Sequence, residues 1–301
     1  MSAVTSGRHP WHLGPVTTVT PEMAGWTYCG LDIVALAAGE ARQFATGAAE
    51  MAVLPLSGGA VVVEVEGRHF HLGGRSSVFA AVTDWAYLPI DAEVRLSSRQ
   101  DTKVALPSAR ATRRFDPAMV AAGDVAVETR GAGPATRQVT NFMSPDVFDG
   151  AHKLMCVELL TPDGNWSSYP PHRHDDSVDC PVNNEEIYYF RVGRTGSTEY
   201  APDGFGLHRT YAPAGHEHGP VEANVVVGDG DVFVIPRGYH GPCVAAPGYP
   251  LYYLNVLAGP GPARSMAFCD DPAHHWVRDT WTDLATDPRV PMTSAGGEGR
   301  R

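Results

Sequence analysis

The sequence predicts an all-β protein built as two halves, and three observations carry that expectation. Runs rich in β-branched and aromatic residues recur along the chain, each bounded by turn residues. Apolar residues at helical spacing are scarce. The 301 residues include 32 Gly and 25 Pro without a Gly-X-Y period or a Pro tract, which signals many turns. Short strands joined by frequent turns describe a sandwich or a barrel.

In chain order, the opening MSAVTSGRHPWHLG lacks the apolar run of a signal peptide. Strands are expected over 52–58, 60–67, 77–82 and 103–108, within an N-terminal domain spanning 1–125. His69 and His71 form an HxH there, but no Glu follows within a strand's reach, so this domain reads as lacking a metal site. Residues 126–139, in a Gly- and Ala-rich stretch without a core pattern, read as a linker. Further strands are expected over 154–160, 186–192, 224–230, 231–238 and 251–259, within a C-terminal domain spanning 140–276. Residues 277–301 read as a tail. SVFAAVTDWAYLP (77–89) and DVFVIP (231–236) echo each other, which points to an internal duplication.

Composition excludes several classes of function. The 34 acidic against 23 basic residues give a net charge of -11, and no basic run stands out, so nucleic acid and anionic membranes are poor partners. Only two bases are lysines, Lys103 and Lys153, and neither sits in a phosphate-loop pattern. Schiff-base chemistry is disfavoured for the same reason, and any anion must be gripped by Arg or backbone amides. Five scattered cysteines without a CxxC argue against a disulfide framework or a thiolate zinc site. No window is long and apolar enough to span a bilayer. The expectation is a soluble, reduced, cytoplasmic chain.

The chemistry concentrates in NWSSYPPHRHDDSVDCPVNNEEIYYFRV, residues 165–192. His172 and His174 share one face of a strand. Glu185 and Glu186 open the next strand, and parity alone does not choose between them. His240 follows VFVIPRG on a later strand. Three imidazoles and one carboxylate suit a divalent transition metal such as Zn, Mn, Fe, Ni or Cu. By contrast, His216 and His218 lie in a Gly-flanked stretch and read as loop residues. His152, His208, His274 and His275 read as structural, and Cys243 as a small buried hydrophobe.

The order HxH, Glu, late His resembles the cupin metal site, and the doubled layout resembles a bicupin. More specifically, GNWSSYPPHRHD (164–175), EEIYYFRV (185–192), GFGLHRTY (204–211), GDVFVIPRGYHGP (230–242), YYLNVLAGP (252–260) and DPAHHW (271–276) resemble the 5-deoxy-glucuronate isomerase family of inositol catabolism. The resemblance covers residues 140–290 strongly and continues more weakly through GRHFHLGGRSSVF (67–79). It implies two double-stranded β-helix (jelly-roll) domains and conversion of 5-deoxy-D-glucuronate to 5-dehydro-2-deoxy-D-gluconate. It also implies one divalent metal, zinc first and Mn, Fe or Ni as alternatives, on His172, His174, Glu186 and His240. The choice of Glu186 rests on a glutamate directly preceding a β-branched residue and a tyrosine, as in Glu186-Ile187-Tyr188.

An aldose–ketose isomerase moves a proton between C2 and C1 and exchanges carbonyl for hydroxyl. It needs a Lewis acid and a base, or a hydride shift without one. Asp175, Tyr188 and Tyr253 are candidates for the base. Arg209 is the expected grip on the substrate carboxylate, with Tyr253 and Asn255 lining the cavity. The expected partner is a small sugar acid, and pairing of sheet edges makes a homo-oligomer an expectation. The same ligand set also suits an iron-dependent cupin oxygenase, and the fold suits a non-catalytic sugar-binding regulator.

Overall fold

The computed structural model describes residues 9–216 and 219–298. It is all-β, with two large antiparallel sheets packed back to back and a further sheet covering each outer face. The first large sheet has six strands in the order Ala118–Val120, Trp85–Leu88, Ala49–Gly58, Thr102–Arg110, Cys29–Leu36 and Thr18–Val19. The second has seven, in the order His12–Gly14, Val232–Ile235, Glu185–Val192, Leu251–Ala258, Met155–Thr161, Arg137–Asn141 and Ala126–Arg130. Leu31, Leu54, Trp85 and Ala105 from the first meet Ile187, Tyr189, Leu254 and Val256 from the second in one buried cluster. Strands packed on both faces lose polar alternation, and every residue of Leu251–Ala258 is buried.

The outer sheets close each half. In the first half, Ala41–Ala45, Glu93–Ser98, Val61–Val65 and Arg68–Leu72 pack through Val61, Val63, Leu72 and Leu96 onto Val34, Val53 and Val104. In the second half, Val221–Gly228, Phe205–Ala212, Tyr239–Ala245, His172–Arg173 and Cys269–Asp270 form the outer sheet. Its barrel interior is filled at one end by Tyr188, Phe190, Phe233 and Tyr253. The two halves are pinned by polar contacts as well. Arg75 forms a buried ion pair with Glu158, whose Oε1 also accepts from the Tyr252 hydroxyl at 2.8 Å. Glu50 accepts from the backbone N–H groups of His152 and Leu154 at 2.9 and 2.7 Å.

Three segments differ from their sequence expectation. Residues 77–82 form a turn, closed by the Ala80 N–H donating to the Ser77 carbonyl at 3.1 Å, and the strand begins at Trp85. Val78, Phe79 and Val82 are apolar because they join the core between the halves, a pattern a short run cannot distinguish from a strand. Residues 126–139, expected as a linker, supply the last strand of the seven-stranded sheet and the start of its neighbour. Polar strand positions masked them: Gln138 and Thr140 are buried, with Gln138 donating to the Thr293 hydroxyl at 2.8 Å. The expected tail is fastened by that bond and by a 3-10 helix over His275–Asp283. His12–Gly14, near the N-terminus, pairs with Val232–Ile235 of the second half. Among the described residues no helix is long and apolar enough to cross a membrane.

Candidate metal centre

The Glu185–Val192 strand assigns its two glutamates by alternation. Tyr188 and Phe190 point into the barrel, so Glu186 points there too and is 2% exposed. Glu185 faces the first half instead. Its carboxylate accepts the backbone N–H groups of Thr27, Tyr28 and Cys29 at 2.7, 2.8 and 2.7 Å. The parity left open by the sequence is therefore resolved by which face lines the barrel.

His174, Glu186 and His240 are all buried, and their ligand atoms lie within 4.8 Å of one another. Glu186 Oε2 is 3.0 Å from His174 Nε2 and 3.1 Å from His240 Nε2. The second approach lacks hydrogen-bond geometry, so both ring nitrogens of buried His240 are without a hydrogen-bond partner. His172 pairs in register with His240, and their ring centroids are 4.5 Å apart. His172 Nδ1 donates to the Pro170 carbonyl at 3.2 Å and His174 Nδ1 to the Asn184 carbonyl at 3.1 Å, which leaves Nε2 as the nitrogen that could hold a metal in each. Gly241, at φ 99°, brings the next turn against Ser168, where a Cβ would overlap the Ser168 carbonyl.

The electrostatics suit a cation. Burial, together with the neighbouring imidazoles, holds His172 well below the usual histidine range. Burial also lowers His240. For His174 burial acts in the same direction but is outweighed by the Glu186 hydrogen bond and charge, and the net direction is up. Burial alone would raise Glu186, but the His240 charge and the His174 hydrogen bond prevail, so the carboxylate stays ionised. An ionised carboxylate among three imidazoles, one of them with two orphaned nitrogens, is the donor set of a divalent transition-metal site.

The centre opens on a cavity of about 890 Å³ lined by His172, His174, Glu186, Asn255 and the arginines Arg130, Arg137, Arg264 and Arg278. Asn255 is 8% exposed and its Oδ1 has no partner. A smaller cavity of about 410 Å³ meets His174 and His240 from the other side, lined by Asp175, Glu185 and Arg237. Tyr253 lies deeper in the barrel, its hydroxyl 2.9 Å from both Ser167 Oγ and Ser168 Oγ. Burial pushes the Tyr188 and Tyr253 hydroxyls well up, which favours the protonated form of both. Asp175 is raised by burial, but hydrogen bonds from Ser177, the Gly238 N–H and His216 bring it to about 2. Its Oδ2 accepts from the Gly238 N–H at 2.7 Å, tying the loop after His174 to the turn before His240.

Arg209 lies outside this site. The sequence correctly placed Phe205, Leu207, Arg209 and Tyr211 on one face, but Phe205 and Leu207 are 42% and 45% exposed, so that face is the outer one. Arg209 pairs with Glu222 at 3.6 Å and stacks on Tyr211. The inner positions belong to His208 and Thr210, which hydrogen-bond each other at 2.8 Å. The cavity arginines escaped sequence reasoning because Arg137 lay in the expected linker and Arg278 in the expected tail. His218 falls outside the described residues.

Two back-to-back β-barrels, one carrying a His-His-Glu-His cluster, define a bicupin with a single candidate metal centre among the described residues. Residues 6–277 match the model of the KduI/IolB family, and the chain belongs to that family. Curated 5-deoxy-glucuronate isomerases are similar over most of their length. That of Geobacillus kaustophilus is 35% identical over 89% of this chain and 92% of its own. That of Bacillus subtilis is 32% identical over 87% and 92%. The crystal structure of an IolB-like protein from Salmonella typhimurium superposes with a TM-score of 0.77 at 31% identity, covering 88% of this chain and 95% of that one. Lactobacillus farciminis oxalate decarboxylase, at 13% identity and a TM-score of 0.57, covers 82% and 81% and shares the fold.

Proposed function

We propose that this chain is a metal-dependent aldose–ketose isomerase that converts 5-deoxy-D-glucuronate to 5-dehydro-2-deoxy-D-gluconate. Its membership of a family whose curated relatives bear that activity's name supports the reaction. The observation within the chain that carries it is the buried trio of His174, Glu186 and His240, with half-buried His172 against His240, at an arginine-lined cavity. In this reading the four residues hold one divalent transition metal. A bound ion supplies Lewis-acid polarisation of the carbonyl and hydroxyl oxygens exchanged in the reaction.

The chain's own residues supply the rest. Glu186 contributes the only carboxylate of the cluster and fixes His174 by its 3.0 Å contact. The Pro170 and Asn184 carbonyls set the tautomers of His172 and His174. Asn255, with a free acceptor at the cavity wall, is placed to receive a hydrogen bond from a substrate hydroxyl. Tyr188 and Tyr253 close the inner end of the barrel and keep bulk water from the centre. The test is to incubate purified protein with 5-deoxy-D-glucuronate and follow ketose formation with and without a chelator. Chelator-sensitive ketose formation is expected. Absence of ketose from metal-replete protein refutes the reading.

A further inference from the structure

Arg137 lines the same cavity as His172, His174 and Glu186, yet its charge is unanswered. It is 5% exposed, its Nε has no hydrogen-bond partner, and its Nη1 donates to the Ala135 carbonyl at 3.1 Å. It forms no ion pair among the described residues, and nearby Glu128 is taken by Arg130. Leaving a buried cation without a counter-charge is costly, so such a residue points to an anion that arrives from outside the fold.

A second arginine converges on the same place. Arg278 spends Nε and Nη2 on Asp270, at 2.5 and 2.7 Å, which fixes its plane and leaves Nη1 over. Arg137 and Arg278 both approach the Trp281 ring, at 5.7 and 5.1 Å from its centroid. Arg278 also lies 5.3 Å from the Phe268 ring, which is 4.8 Å from the ring of His172. The guanidinium pair therefore sits along the cavity wall from the metal ligands. The two ends of an extended six-carbon chain are about 6 Å apart. A sugar acid with its aldehyde at the histidines directs its carboxylate along that wall.

We infer that Arg137, with Arg278 across Trp281, forms the subsite that binds the substrate carboxylate. This rests on the isomerase reading and names the recognition end of the same site. Burial, with repulsion from Arg130 and Arg278 adding to it, lowers Arg137 to about 10, a strain that an anion between the two arginines relieves. The bidentate geometry of guanidinium suits a carboxylate.

The experiment compares 5-deoxy-D-glucuronate with its neutral 6-carboxamide in wild type, Arg137→Gln and Arg137→Lys. Loss of a charge-assisted hydrogen bond raises KM for the acid about ten- to hundredfold in Arg137→Gln. The carboxamide is expected to be unaffected, and Arg137→Lys to recover part of the loss. The ratio of kcat/KM for acid over amide is the readout, because a general folding defect lowers both alike. Calorimetric binding of the corresponding aldonic acid, which cannot isomerise, reports the same contact without turnover. Equal losses on acid and amide, or unchanged KM, overturn the inference. So does an acid-specific loss found instead in Arg237→Gln, whose partnerless Nε faces the smaller cavity. Should Arg137→Gln fail to fold, Arg278→Gln reads the same ratio. A wild type that makes no ketose yet binds the aldonate through Arg137 refutes the isomerase reading alone.

Discussion

Adjacent glutamates with opposite assignments make a sharp test, because exchanging either for glutamine changes a single atom. Glu185 ties the start of the Cys29–Leu36 strand to the second half through three charge-assisted bonds of 2.7–2.8 Å. Each bond of this kind contributes about 1.5–3 kcal/mol, less where solvent reaches it. Glu185→Gln keeps one acceptor and turns an amide N–H₂ against backbone donors. A loss of about 2–4 kcal/mol follows, a large share of the 5–15 kcal/mol that typically separates folded from unfolded. Glu186→Gln instead removes the only carboxylate of the cluster and leaves the linkage between halves intact. Urea unfolding, followed by the shift in midpoint at constant slope, measures the first effect. Metal content after dialysis measures the second. Glu185→Gln is expected to be destabilised and metal-loaded, Glu186→Gln to be folded and metal-poor. The reverse pattern, or metal loss in both at unchanged stability, refutes the assignment of the two side chains.

Other substitutions probe the frame around the centre. Arg75→Met leaves Glu158 buried with only the Tyr252 hydroxyl, and is expected to cost about 3–5 kcal/mol in denaturant unfolding. Adding Glu158→Leu should recover most of that loss, and failure to recover would show that the pair is not the cause. Burial depresses His208 to about 3 against an ordinary 6.5, so the folded chain binds fewer protons than the unfolded one between those values. Its contribution to stability is thus present above pH 6.5 and lost on acidification, by about 2 kcal/mol between pH 6.5 and 5. His208→Gln should flatten the stability–pH curve over that interval relative to wild type, and an unchanged slope would contradict the assignment. Arg209→Ala, on the outer face, should leave kcat/KM within about twofold, as expected for an exposed ion pair.

The candidate metal cluster was legible in the sequence because the spacing of its residues combines alternation with turn chemistry. His172 and His174 flank one residue where the short His172–Arg173 strand ends, and His240 follows a Pro-Arg-Gly turn. The fold class was legible from the same turns. What the sequence hid has a common cause, the burial of a segment on two faces. Leu251–Ala258 still reads as a strand from its aromatic and aliphatic run, whereas the polar residues of Arg137–Asn141 look like linker because their partners, such as Thr293, lie far along the chain. Arg209 shows the complementary difficulty. Alternation named the residues sharing its face, but only the packing of His208 against Phe233 shows which face turns inward. Arg137 carried no local signal at all, since what distinguishes it is a buried charge whose Nε has no partner.

The most direct test titrates metal-free protein with a single divalent transition metal while ketose formation from 5-deoxy-D-glucuronate and bound metal are measured on the same samples. Turnover should rise in proportion to bound metal and saturate at about one ion per chain, the occupancy of a single four-ligand site. Full turnover by the metal-free chain, or no ketose at full occupancy, would contradict a metal-dependent isomerase centred on His172, His174, Glu186 and His240.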